Sequence, residues 1–249
     1  MRRLVVLGAS NLTRGFAAVV HAARAAWGEP LDVFGALGHG RSYGIDSRIF
    51  FRELPGILES GLWAQLDASP RVPSRALVTD VGNDILYHVP VDTILGWMSE
   101  CVRRLEVLGC EVILTDLPLF TLRELSPSRF LFFRSLFVPS CRLTQRQVEE
   151  RAVEVSAGLV RLARDRGHTL VPLQPEWYGF DPIHFRPRYW TAAWRQILGA
   201  VPTQPPPGPR LGRLRLYLAR PQRRSLFGFL QHTPQPALRT AAQTAVWLY

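Results

Sequence analysis

The chain contains no lysine; all 30 of its basic residues are arginine. A phosphate loop of the Gly-x-x-x-x-Gly-Lys kind is therefore excluded, because its lysine cannot be supplied. The sequence also lacks an uncharged apolar run of the roughly 18 residues that a membrane-spanning helix needs. Cysteine is scarce. Cys101, Cys110 and Cys141 are odd in number and match no metal or redox spacing, so they read as buried reduced thiols. Acidic residues are missing altogether from residues 201–249, which carry seven arginines (210, 213, 215, 220, 223, 224 and 239). Most of the net charge of +10 therefore sits at that end, and residues 1–200 are only mildly basic. Such an arm could meet an anionic surface or polymer, or pack and be solvated on its own domain; no specific nucleic-acid partner is indicated.

With 249 residues, 47% hydrophobic and 20% charged, the chain can bury a full core. Five short apolar runs, "LVVLGAS" (4–10), "LDVFGALG" (31–38), "ALVTDVG" (76–82), "EVILTDLP" (111–118) and "HTLVPL" (168–173), are separated by stretches with helical spacing near 14–27, 46–60, 91–108 and 143–166. Another helix is expected near 188–199. Alternation of this kind predicts an α/β domain over residues 1–200, with about five parallel strands and helices on both faces. Thr144 followed by Gln147 predicts a capping box at the start of the fourth helix. "VPTQPPPGPR" (201–210) reads as an extended Pro-rich linker. The basic extension 211–249 is expected to form a hairpin or strap on the main domain. Arg2-Arg3 precede an apolar run too short for a signal peptide, so a cytoplasmic location is expected.

In an open parallel sheet, ligands bind beyond the carboxyl ends of the strands. Those ends carry Gly8-Ala9-Ser10-Asn11, Gly38-His39-Gly40, Gly82-Asn83-Asp84 and, past the fifth strand, "FDPIHF" (180–185). Three uses of Ser10 compete: helix cap, part of a phosphate cradle, or nucleophile. The cradle is weakened because Gly8 is followed by no glycine until Gly15, unlike a dinucleotide fingerprint. A serine nucleophile needs a base, a group to orient that base, and donors for the oxyanion. His184 can be the base and Asp181 its orienting partner. The Asn83 side chain and the backbone amides of Ser10 and Gly38 can be the donors, although Gly-Asn-Asp is equally a good turn. A second Asp-x-x-His pair, Asp165 and His168, falls at the amino end of the sheet and reads as structural.

Taken in order, Gly8-x-Ser10-Asn11, Gly38, Gly82-Asn83-Asp84 and Asp181-x-x-His184 resemble the blocks of the SGNH/GDSL hydrolase superfamily, over residues 1 to about 200. The resemblance implies a three-layer flavodoxin-like fold and no metal or organic cofactor. It also implies a nucleophile at Ser10, a base at His184 oriented by Asp181, and oxyanion donors at Ser10, Gly38 and Asn83. Two departures stand out. Ala9 replaces the usual Asp of the first block, and Ala36-Leu37-Gly38 replaces Asn-x-Gly in the second, which keeps Gly40 open as a substitute donor. The implied activity is hydrolysis of a carboxylic ester, on a small-molecule or acylated substrate, through an acyl-enzyme. An acyltransferase with the same triad, or a non-catalytic adaptor holding an anionic partner through its Arg-rich tail, are the alternatives. In residues 119–142, Phe120, Phe130, Phe132, Phe133 and Phe137 read either as core or as an apolar lip for an acyl chain, with Arg123, Arg129 and Arg134 beside it.

Overall fold

A computed structural model describes residues 1–199, 210–239 and 243–249. In chain order the first half comprises β1 (Arg2–Leu7), α1 (Ser10–Trp27), β2 (Leu31–Ala36), β3 (Ser47–Ile49), β4 (Arg52–Leu54), α2 (Leu62–Asp67), β5 (Ser74–Val78), α3 (Asn83–Leu86), α4 (Val91–Val107) and β6 (Cys110–Thr115). There follow α5 (Leu119–Arg123), α6 (Pro127–Phe137), α7 (Gln145–Arg166), β7 (Thr169–Val171), α8 (Trp190–Ile197), α9 (Arg210–Leu218), β8 (Arg223–Leu226), β9 (Phe229–His232), β10 (Leu238–Arg239) and β11 (Thr244–Leu248). The central sheet runs β10-β11-β2-β1-β5-β6-β7, parallel throughout except for the β10–β11 pair.

Strand alternation divides the core. On β1, Val5 and Leu7 pack with Ile94, Met98, Val155 and Leu159 of α4 and α7, whereas Leu4 and Val6 pack with Phe16, Val20 and Trp194 of α1 and α8. Side chains two apart share a face, so an apolar run on β1 covers both layers of helices. The helix stripes match: Ile94, Met98, Cys101, Val102 and Leu105 are the buried positions of α4. Thr144 and Gln147 form the capping box at the start of α7, and Gly167 ends it in the left-handed region at φ 69°. All three cysteines are buried and free.

The five expected strands are β1, β2, β5, β6 and β7, in the order β2-β1-β5-β6-β7. Residues beyond 210 widen this sheet: β11 pairs in parallel with β2, and Trp247 stacks on Phe34 with ring centroids 4.5 Å apart. The fully buried Arg41 donates to the carbonyl oxygens of Leu37, Pro55 and Tyr249, tying the loop after β2 to the end of β11. The helix expected over 46–60 is instead the β3–β4 hairpin and a short 3-10 turn, Ile57–Glu59. Phe50 sits at φ 53° in the hairpin turn, and β4 pairs with β8, more than 170 residues away in sequence. Long-range pairing has overridden local helical spacing. The Pro-rich linker expected at 201–210 lies outside the described residues except for its last position, at the start of α9. Among the described residues no helix is long and apolar enough to cross a membrane.

Candidate active site

Sheet order reverses direction between β1 and β5, because the chain leaves β1 for β2 on one side and resumes with β5 on the other. The carboxyl ends of these two strands therefore flank an open crevice. Leu7 pairs with Val78, which puts Ser10 and Asn83 on the two walls, and the pairing of Leu7 with Ala36 brings Gly38 to the same rim.

Ser10 is the first residue of α1, and its hydroxyl caps no helix amide. Instead, Ser10 Oγ lies 2.9 Å from His184 Nε2, and His184 Nδ1 lies 2.6 Å from Asp181 Oδ2. With Nδ1–H donating to the carboxylate, the tautomer leaves Nε2 free to accept from the hydroxyl. The other Asp181 oxygen accepts from the backbone amides of Ile183 (3.0 Å) and His184 (3.2 Å), so the carboxylate is anchored in its own turn. Burial pushes the Asp181 carboxyl upward, but the bond and charge of His184, with these two amides, outweigh it and hold the group below its ordinary value. Arg14, one turn along α1 from Ser10, stands 4.0 Å from Asp181. The buried His184 ring packs T-shaped with Phe137, centroids 5.1 Å apart.

Two side chains build this geometry and were not assigned a role from sequence. Asp80, just after β5, accepts from the amides of Ala9 and Leu12, both at 3.0 Å, and from Asn11 Nδ2 at 3.0 Å. It caps α1 from another loop, in place of the acidic residue that Ala9 does not provide; a side-chain cap is worth about 0.5–2 kcal/mol. Its backbone adopts φ 61°, a conformation Asp tolerates better than most residues. The buried Asn11 also donates to the Ile183 carbonyl (2.8 Å) and accepts from the Phe185 amide (2.8 Å), so it holds the chain on both sides of His184. The available signals were the polar residue after β5 and the Asn after Ser10, but neither names its distant partner.

On the opposite wall, Asn83 opens α3, and its Nδ2 reaches the Arg41 carbonyl at 3.5 Å. A Cβ on Gly38 would lie 2.3 Å from Leu54 Cδ1, so the loop lies close against β4. Gly40 turns at φ 62°, and its carbonyl accepts from Tyr87 Oη. Between them, burial and the charges of Arg52, Arg14 and His184 push the His39 imidazole down to about 4. Asp165 and His168 lie away from all this: His168 Nε2 is 2.9 Å from Glu106, at the amino end of β7.

An apolar pocket of about 120 Å³ opens at Ser10, Asn11 and Asn83 and runs beneath α5 and α6 to Leu122, Leu125, Phe130, Phe133 and Val148. The aromatic segment thus divides. Phe130 and Phe133 are buried against the pocket, while Leu131, Phe132 and Leu136 are exposed. Its arginines are engaged within the chain: Arg123 with Glu149, Arg129 with the Phe180 carbonyl and Arg134 with the Leu143 carbonyl.

Sheet order, the two helix layers and the position of the crevice give a three-layer flavodoxin-like α/β fold, the fold that the resemblance in the sequence implies. Two solved structures illustrate it. Est24, a carbohydrate acetylesterase from Sinorhizobium meliloti, is 16% identical with a TM-score of 0.54, over 79% of this chain and 97% of its own. The native M. smegmatis aryl esterase is also 16% identical, with a TM-score of 0.52, over 80% of this chain and 100% of its own. At that identity the likeness is one of fold. No family model matches the sequence, and no curated protein is similar to it.

Proposed function

We propose that this chain is a serine-dependent hydrolase of carboxylic esters. The observation that carries the reading is the continuous hydrogen-bonded line Ser10–His184–Asp181 at the rim of the crevice. In the proposed reaction His184 Nε2 takes the Ser10 proton as Oγ bonds to the ester carbonyl carbon, and Asp181 stabilises the imidazolium. The amides of Ser10 and Gly38 and the Asn83 amide group would receive the negative charge on the carbonyl oxygen. As the tetrahedral intermediate collapses, the carbon–oxygen bond to the alcohol breaks and His184 protonates the departing oxygen. Water, deprotonated by the same imidazole, then attacks the acyl-Ser10 ester, releasing the acid and regenerating the serine.

The pocket supports an aliphatic acyl group as the part of the substrate held before attack. Its walls are mainly apolar, with Asp116, Thr121 and Arg134 among them, and they begin at Ser10 and Asn83, the two ends of the proposed reacting geometry. The test is hydrolysis of short- and medium-chain p-nitrophenyl esters by the wild-type chain and Ser10→Ala, with circular dichroism to show that both fold. Activity in the wild type that disappears in the folded variant supports the reading, and equal rates discard it.

A further inference from the structure

β3, β4, β8 and β9 form a second, four-stranded antiparallel sheet that departs from the loop after β2. Its two hairpin turns lie side by side. The Phe227 amide donates to the Phe51 carbonyl at 2.7 Å, and the two rings stack with centroids 4.6 Å apart. Around this pair Phe50 is 84% exposed and Phe229 75%, while Phe51, Phe227 and Leu230 are each more than half exposed. Phe50, Phe51 and Phe227 stand on the two turns and Phe229 opens β9 beside them, with Leu230 on the other face of the sheet, and at these exposures they bury little of the chain's own core. Isolated exposed apolar residues are ordinary, but a contiguous group of this kind marks a docking surface.

Charge identifies the occupant. Residues 47–54 and 220–232 carry five arginines against a single acid, Glu53, which stands 3.9 Å from Arg48; Arg52 turns inward and Arg224 bonds to Gln231, while Arg48, Arg220 and Arg223 are exposed. A second copy of this chain seated on the turns would set these arginines against their equals. A surface of phosphate headgroups over hydrocarbon matches both features, since aromatic tips enter the acyl boundary while arginines pair with anionic lipid. We propose that the Phe50/Phe51 and Phe227/Phe229 turns dock the protein on an anionic phospholipid bilayer.

The sheet is also joined to the crevice. Register places Ile49, Arg52, Leu226 and Phe229 on one face. At the inner end of that face Arg52 donates to the His39 carbonyl at 3.0 Å, and Ile49 Cδ1 lies within 2.5 Å of where a Gly40 Cβ would stand. Docking through the tips would therefore hold the crevice beside the bilayer, where acyl esters are concentrated.

The experiment is co-sedimentation of the full chain with vesicles of phosphatidylcholine alone and of phosphatidylcholine with one quarter phosphatidylglycerol. It compares wild type, Phe50→Ser/Phe51→Ser/Phe227→Ser, and Arg48→Gln/Arg223→Gln, with light scattering on the free proteins. Wild type should pellet with the anionic vesicles and much less with the neutral ones, and 0.5 M salt should weaken binding. The triple serine variant should lose about tenfold or more in partitioning, and the arginine variant should lose the preference for anionic lipid. Because the phenylalanines are exposed, both variants should fold and should hydrolyse a soluble ester like the wild type. Binding is read without any ester, so it stands or falls separately from the hydrolase reading. No pelleting of wild type, binding undiminished in the serine variant, or a wild-type dimer that the serine variant makes monomeric would each overturn the proposal. The dimer result would assign the turns to a second copy.

Discussion

Asn11 grips His184 from both sides: its amide donates to the Ile183 carbonyl and its oxygen accepts from the Phe185 amide. The residue next to Ser10 in sequence therefore sets where the distant imidazole stands. Asn11→Ala removes both contacts and leaves the buried Phe185 amide without its acceptor, a penalty of about 1–3 kcal/mol. Displacement of the imidazole should lower kcat by about 10- to 100-fold with little change in KM, since positioning errors of this order are costly. Asn11→Asp should do worse, because it loses the donor and sets a second carboxylate beside Asp80. Steady-state kinetics on the two variants, with melting temperatures, check both statements.

Gly15 supports Ser10 from further along α1. A Cβ there would lie 2.0 Å from Nε1 of the fully buried Trp194, which α8 presses against the helix. Alanine would add about 1 kcal/mol of helix propensity. Overpacking a filled core costs about 1–3 kcal/mol, and at this separation the indole must move, so the upper part of that range applies. Gly15→Ala should therefore lower the melting temperature by several degrees. An unchanged or raised value would show that Trp194 yields freely.

The sequence made some of this legible and hid the rest for a definable reason. Strands β1, β2, β5 and β6 are apolar runs largely buried on both faces, β7 is a short apolar run at the sheet's edge, and the stripes of α4 and α7 with the Thr144 capping box are local signals. Ser10 and His184 are 174 positions apart, but each follows a strand at its carboxyl end, and that shared position connected them. Asp80, Asn11 and the β4–β8 pairing depend on partners that no local window contains. Ala9 has no side chain to cap α1, and the carboxylate that does so, Asp80, comes from another loop. Residues 46–60 have the spacing of a helix, but their apolar side chains serve a hairpin whose partner strand lies beyond residue 220.

Half-buried His39 and buried Asp84 give stability opposing dependences on pH. His39 is pushed down to about 4, so the unfolded chain takes up its proton first as pH falls and stability is lost between about 6.5 and 4. Asp84, which accepts from the Tyr43 amide, is pushed up by burial to about 6, so its contribution is present below about 4 and is lost as pH rises toward 6. His39→Gln removes the first effect and keeps the second. Relative to its value at pH 7.5, the variant should hold its melting temperature better at pH 4.5 than the wild type does. Parallel calorimetric profiles would contradict that assignment.

Pocket length should be adjustable from α7. Ala152 lines the pocket with Val148, and Ala152→Phe would fill its inner part. The variant should lose medium-chain p-nitrophenyl esters by about tenfold or more in kcat/KM, the size of effect that a few methylenes carry in an apolar site. Acetate and propionate esters should be nearly unaffected. An equal loss across all chain lengths would place the acyl group elsewhere.

The central claim is that Ser10 carries the acyl group, and intact-mass spectrometry of the chain after brief exposure to a fluorophosphonate tests it most directly. The account predicts a single adduct on the wild type, mapped by peptide analysis to Ser10, and none on folded Ser10→Ala. An adduct formed equally on both proteins, or mapped to any other residue, would contradict it.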